Sequence, residues 1–200
     1  MTRMWYSHKE DHIFISMRQL KEFDPNIVIE TDRLVLRFMK SSDRHDIFIN
    51  INNDKEVLKY FLDKYLEDEN ELVLDKRIQF CLENKRYLFS IELKETHEVI
   101  GMILQCSVPD QYFNNSEIGY AIGRKHWNHG YVTEAMKAML DFVFSTGVNK
   151  VIASHIVGNE ASKRVIQKCG MIYEGRRKED LYYHEQYHDV DYYYLLNEDK

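Results

Sequence analysis

The chain has 200 residues, a length that suits one domain with at most a short appendage. An apolar share of 44% is enough for a useful core, and a net charge of −6 argues against a general nucleic-acid binder. Three scattered cysteines without a CxxC pair, and a charged amino-terminal segment, exclude a disulfide scaffold, a secretion signal and a membrane span, so the cytoplasm is the expected compartment.

Residues 1–26 read as an appendage ending at the turn signal "DPN", and residues 27–200 as the folded domain. "RLVLRFM" (33–39) alternates and predicts a strand. In "SSDRHDIFININND" the expected helix cap is Ser42 or Asp43. "DENELVLDKRIQFCLEN" predicts an amphipathic helix, because Leu72, Ile78, Cys81 and Leu82 recur near helical spacing. "RYLFSIEL" and "EVIGMILQCSV" predict two strands joined by the polar turn "KETH". "SEIGYAIG" predicts a further strand, with Ile118, Tyr120 and Ile122 on one face and Glu117, Gly119, Ala121 and Gly123 on the other.

A helix is expected over Tyr131–Ser145, with Val132, Ala135, Met139 and Phe142 as its apolar stripe. "KVIASHIV" predicts a strand, and "NEASKRVIQKCG" a short helix capped by Asn159 and stopped by Gly170. "MIYEGRRK" and "DVDYYYLL" close the chain as strands. The expected class is α+β: one domain with a central, curved, mostly antiparallel sheet of about seven strands flanked by helices.

The chemistry concentrates where the strand ending at Gly123 runs into the helix at Tyr131. A helix N-terminus offers unpaired N–H groups and a positive dipole end, a ready anion site. Gly130 lets a ligand approach the backbone, and Arg124, Lys125, His126 and His129 add positive character. On these residues alone, a phosphate site and an ordinary tight turn are equal readings.

"HEQYH" (184–188) is a literal HExxH, a zinc-hydrolase signature that requires both histidines on one helical face. Its flanks favour strand, where residues four apart are separated by about 13 Å. A polar turn between the last two strands is therefore expected, and no metal. "HWNH" (126–129) likewise lacks a third ligand. The tyrosine clusters read as sheet and cleft-lining residues.

"EIGYAIGRKHWNHGYVTEAM" followed by "NEASKRVIQKCGMIYEG" resembles the GCN5-related N-acetyltransferases (GNAT), closest to the RimJ/RimL-type branch, and the resemblance runs over residues 30–196. The family's acetyl-CoA loop, R/Q-x-x-G-x-G/A, falls on Trp127, Asn128, His129, Gly130, Tyr131 and Val132. Trp127 and Val132 depart from its first and last positions. The resemblance implies that the N–H groups from Asn128 through Thr133 hold the pyrophosphate of acetyl-CoA, and that the pantetheine arm pairs with the backbone near Ile122 and Gly123. On that reading Gly119, Ala121 and Gly123 leave room beside the backbone; the alternative is that they merely admit close packing.

It also implies direct acetyl transfer to a primary amine, with a general base, protonation of the leaving thiolate and no covalent enzyme intermediate. A strand glutamate upstream of the loop is the base in some members, which points to Glu117. His155, on the next strand, could do the same work or be a satisfied interior histidine. The position of the RimL-type glutamate is Leu181 here, which makes the neighbouring Glu179 and Asp180 the other candidates. The tyrosine acid of many members is replaced by Ile166, so Ser162 is the expected acid. Asn159 and Ser162 would contact the pantetheine and thiol, or serve only as helix cap and N3 residue. The expected acceptor is a protein N-terminus or a small-molecule amine, held by residues 43–84 and 179–189. No nucleic acid and no membrane are expected as partners, and a homodimer is left open. The alternative functions are a non-catalytic acyl-CoA-binding module and the HExxH zinc hydrolase.

Overall fold

The computed structural model describes residues 20–110 and 113–197. The chain runs through β1 (Val28–Glu30), β2 (Leu34–Phe38), α1 (Arg44–Ile47) with a wider π turn over Phe48–Asn52, α2 (Lys55–Leu58) and α3 (Leu74–Glu83). Then follow β3 (Leu88–Leu93), β4 (Val99–Gln105), β5 (Asn115–Ile122), α4 (Tyr131–Ser145), β6 (Lys150–Ile156), α5 (Glu160–Lys168), β7 (Ile172–Tyr183) and β8 (Gln186–Leu196). The strands form one sheet in the order β1-β2-β3-β4-β5-β6-β8-β7. Every pairing is antiparallel except β5 with β6. Among the described residues no helix is long and apolar enough to cross a membrane.

That one parallel pairing organises the molecule. β5 and β6 are bonded only from Asn115↔Lys150 to Glu117↔Ile152, after which they diverge. α4 carries the chain between them and buries Ala135, Met136, Met139, Leu140, Val143 and Phe144. Its stripe is the expected one, shifted by a residue; Val132 and Phe142 flank the core and are only partly buried. On the amino-terminal side Phe23 packs its ring on Tyr87, with centroids 4.8 Å apart, and Lys21 N donates to the Thr146 carbonyl. Residues 1–19, most of the expected appendage, lie outside the described residues.

Several expectations are corrected. The sheet has eight strands where about seven are expected, the short β1 being added by its pairing with β2. The helix expected from "DENE" begins only at Leu74; Asp68 instead caps a 3-10 turn over Glu69–Glu71. Asp43 stands at the start of α1, but its carboxylate caps nothing there. It turns inward to accept from Arg37 Nη1 and Nη2 (both 2.8 Å), Ser90 Oγ (2.7 Å) and Lys40 N (2.9 Å). Burial opposes its ionisation, yet these donors outweigh burial and hold the carboxyl below its ordinary range.

Removing one partner of a buried pair leaves the other charge short of compensation, here reduced to Glu92, which Arg37 Nε still meets at 2.7 Å. Asp43→Asn is therefore expected to lower stability by about 2 kcal/mol at neutral pH. A carboxyl with a depressed folded pKa stabilises above its unfolded value of about 3.9, and this is lost as pH falls through the folded pKa. The gap between variant and parent in urea unfolding should thus be full at pH 7 and narrow below pH 4. A gap independent of pH would contradict this.

Candidate active site

From Gly123 a 3-10 turn over Arg124–His126 leads to Trp127. Asn128 (φ 64°) and Gly130 (φ 81°) are both left-handed, so the backbone wraps around His129 before α4 begins. Gly130 is the N-cap of α4 and offers no side-chain acceptor. The first helical N–H to find a carbonyl is that of Glu134, on Gly130 O (3.0 Å). The N–H groups of Asn128, His129, Gly130, Tyr131, Val132 and Thr133 have no acceptor among the described residues. A left-handed wrap ending in an uncapped helix is the geometry of an anion cradle.

Arg33, from the β1–β2 turn, holds this loop. Its Nη1 donates to the His129 carbonyl (3.0 Å), its Nε to Glu134 Oε2 (2.8 Å), and its guanidinium lies 4.4 Å over the Tyr131 ring. Thr31 Oγ1 (2.6 Å) and Arg33 N (2.9 Å) both donate to Glu134 Oε1. The ionised Glu134 is thereby paired with Arg33, which offsets a charge that would otherwise oppose an anion at the helix mouth. Burial resists the ionised form, but these donors keep its carboxyl below the ordinary range.

The edge of β5 is the second component. Gly123 N donates to Ile100 O (2.9 Å) and Cys106 N to Glu117 O (2.8 Å). This register turns the backbone groups of the odd-numbered residues toward β4, and those of Tyr120 and Ile122 toward the gap beside β6. Trp127 Nε1 already donates to the Ile122 carbonyl (3.0 Å). The groups left without a strand partner are therefore the N–H and C=O of Tyr120 and the N–H of Ile122. The small face of β5 is filled by protein rather than open. A Cβ on Gly123 would lie 2.8 Å from Asn50 Oδ1, and one on Gly119 would lie 2.9 Å from Cys106 Sγ. Close packing is what these two glycines serve.

Glu117 stands half-buried at the apex, where β5 and β6 part. Ser154 Oγ donates to its Oε1 (3.0 Å). On β8, Tyr192 is paired with Ser154 and donates to Asp180 Oδ2 (2.8 Å). Burial, the bond to Asp180 and the nearby charges of Asp180 and Glu117 push its phenol up to about 12, while the Arg177 guanidinium lies 4.2 Å over its ring. Asp180 gets there through an irregularity in β7: between Arg177↔Val190 and Leu181↔His188 the strand carries extra residues, and Glu179 adopts φ 50°. The N–H of Glu179 is anchored on Asp189 Oδ1 (3.0 Å).

His155 alternates with Ser154 and so lies on the opposite face, buried and stacked on Tyr193. The structure does not bring it to Glu117. Asn159 Oδ1 accepts from Ser162 N (3.1 Å), which is the expected helix cap. The hydroxyl of Ser162 meets that of Tyr120 at 2.8 Å. The two segments expected to wall an acceptor do meet: Tyr183 donates to the carbonyls of Leu58 and Phe61, both at 2.9 Å. His184 and Glu185 form the two-residue turn between β7 and β8, both at positive φ, and His188 lies on β8. The HExxH histidines therefore share no helical face.

Residues 33–172 match the family model described as an acetyltransferase (GNAT) domain. YoaA of Bacillus subtilis (strain 168), named an uncharacterized N-acetyltransferase, is 29% identical over 171 residues, covering 84% of this chain and 96% of its own. The [ribosomal protein uS5]-alanine N-acetyltransferase of Escherichia coli (strain K12) is 23% identical, covering 82% and 88%. Among solved structures, a spermidine N-acetyltransferase from Vibrio cholerae in complex with CoA and spermine shares the fold with a TM-score of 0.72 at 22% identity, covering 84% and 98%. Sheet topology, helix placement and family match agree: the chain belongs to the GNAT family of N-acetyltransferases, with RimJ-like enzymes among its relatives, and is an acetyltransferase.

Proposed function

We propose that this protein transfers acetyl from acetyl-CoA directly to a primary amine, with no side chain acylated on the way. The carrying observation is the run of unpaired N–H groups from Asn128 to Thr133 opening beside the free edge of β5. The donor set fits coenzyme A: the N–H groups and the α4 dipole suit a pyrophosphate, and Tyr120 and Ile122 offer the alternating donors and acceptor that an amide-bearing arm needs. When bound, acetyl-CoA supplies a thioester, an acyl group already activated toward amines.

The chain supplies the proton handling. An α-amine titrates near 8 and lysine near 10.4, so at neutral pH the acceptor arrives mostly as ammonium. Glu117, oriented by Ser154, takes the proton at its carboxylate. Ser162 donates a hydrogen bond toward the leaving sulfur. Glu117 on one face of the sheet, with Asp180 near it but shared with Arg177 at 3.9 Å, suits a cationic acceptor, which includes both a protein N-terminus and a polyamine. The Escherichia coli relative is named for an alanine of ribosomal protein uS5, and the Vibrio cholerae structure for spermidine.

Calorimetric titration with acetyl-CoA should show one site per chain, and CoA should be released when an accepted amine is added. Binding without release for any amine would leave only a CoA-binding module. Arg33→Ala removes charged hydrogen bonds that set the loop, a loss of about 1.5 kcal/mol. The KM for acetyl-CoA should rise about tenfold with kcat little changed. Initial rates against acetyl-CoA concentration check this, and an unchanged KM would separate Arg33 from the loop.

A further inference from the structure

We infer that Tyr120 is a positioning residue that aims the Ser162 hydroxyl at the sulfur of coenzyme A. The inference rests on the proposed function. Tyr120 lies three residues past Glu117, the last β5 residue paired with β6, so its ring sits where the strands have opened. Its side chain takes the face of β5 toward α5, and its oxygen reaches Ser162 Oγ at 2.8 Å and the Ser162 carbonyl at 3.3 Å. This is the contact that closes the gap between the β5 edge and the first turn of α5.

A phenol has one proton and two acceptors here. If it goes to the Ser162 carbonyl, the serine hydroxyl is drawn back to the phenol oxygen. If it goes to Oγ, the serine proton is free to point into the cleft. A thiolate leaving the acyl carbon selects the second arrangement, and the Tyr120 bond then strengthens the serine as a donor. Burial pushes the Tyr120 phenol up, with the Ser162 bond opposing, so it keeps its proton across the neutral range and can donate it to Ser162 Oγ. No proton leaves either residue. A serine hydroxyl is too weak an acid to give its proton to a thiolate whose thiol has a pKa of about 8.5, so the pair stabilises the sulfur by hydrogen bonding. Tyr120 is thus separable from the base at Glu117, which stands on the other face of the same strand.

The test uses CoA itself and needs no acceptor. Stabilising the thiolate lowers the thiol pKa on binding, so the affinity for CoA rises with pH relative to acetyl-CoA, which shares every other titrating group. For the native chain the ratio of the two affinities should rise about tenfold between pH 6.5 and 9, equivalent to about one pKa unit. In Tyr120→Phe the rise should shrink to about threefold or less, with acetyl-CoA affinity and melting temperature nearly unchanged. In Ser162→Ala the rise should vanish, and Tyr120→Phe/Ser162→Ala should match Ser162→Ala, because the two act as one unit. Incorporating 3-fluorotyrosine at position 120, a stronger donor of the same shape, should widen the rise. A full rise in Tyr120→Phe, or no response to the fluorinated ring, overturns the inference alone. Failure of the native chain to bind CoA overturns the functional reading and this inference with it.

Discussion

Gly130→Asp is expected to lower acetyl-CoA affinity by about a hundredfold, and Gly130→Asn to stay within about tenfold of the parent. Gly130 is left-handed at φ 81°, a conformation that Asn and Asp tolerate better than other side chains. The two substitutions therefore place similar strain on the backbone, and their difference isolates charge. Two unit charges 4 Å apart interact by about 4 kcal/mol at an effective dielectric of 20, and exposure of the loop reduces this to about 2–3 kcal/mol. The nearest atom to a Cβ at this position is Arg33 Nη2, at 3.6 Å, so the new carboxylate also competes with Glu134 for the arginine. Equal affinities for the two variants by calorimetry would show that no anion sits at the mouth of α4.

Glu117→Gln is expected to lower kcat about a hundredfold at pH 7 and to leave acetyl-CoA affinity intact. Glutamine keeps the shape and can still accept from Ser154, but it does not take a proton from the amine. The deficit should shrink as pH rises past the acceptor's own pKa, about 8 for an α-amine, because less of the acceptor then needs a base. Rate profiles from pH 6 to 10 for parent and variant check this. Undiminished turnover in Glu117→Gln removes Glu117 from the mechanism, and a deficit constant with pH makes its role structural.

The elements whose signals are local were legible. α4 runs from Tyr131 to Ser145 as read, because its cap and apolar stripe lie within fifteen residues. α5 has the expected cap at Asn159, and Gly170, at φ 78°, is the left-handed residue that stops it. The three residues of β1 were missed, since "VIE" is too short to show a period and forms a strand only against the edge of β2. Asp43 resembles a cap in sequence, yet its partner Ser90 is 47 residues away on β3.

The candidate site divides in the same way. The loop at Gly130 is contiguous and carries a motif. Arg33 was missed because its partners His129 and Glu134 lie 96 and 101 residues downstream. Asp180 stood as one of several acids until the irregularity in β7 turned it onto Tyr192. Alternation alone separates His155 from Glu117, but only once the parallel register of β5 and β6 is known.

The most direct test of the central claim is a panel of amines, including peptide N-termini, polyamines and amino sugars, followed by CoA release and by mass measurement of the acceptor. One class of amine should gain a single acetyl group with an equal amount of CoA released, and Glu117→Gln should lose that signal. Stoichiometric binding of acetyl-CoA with no CoA release for any amine would contradict it.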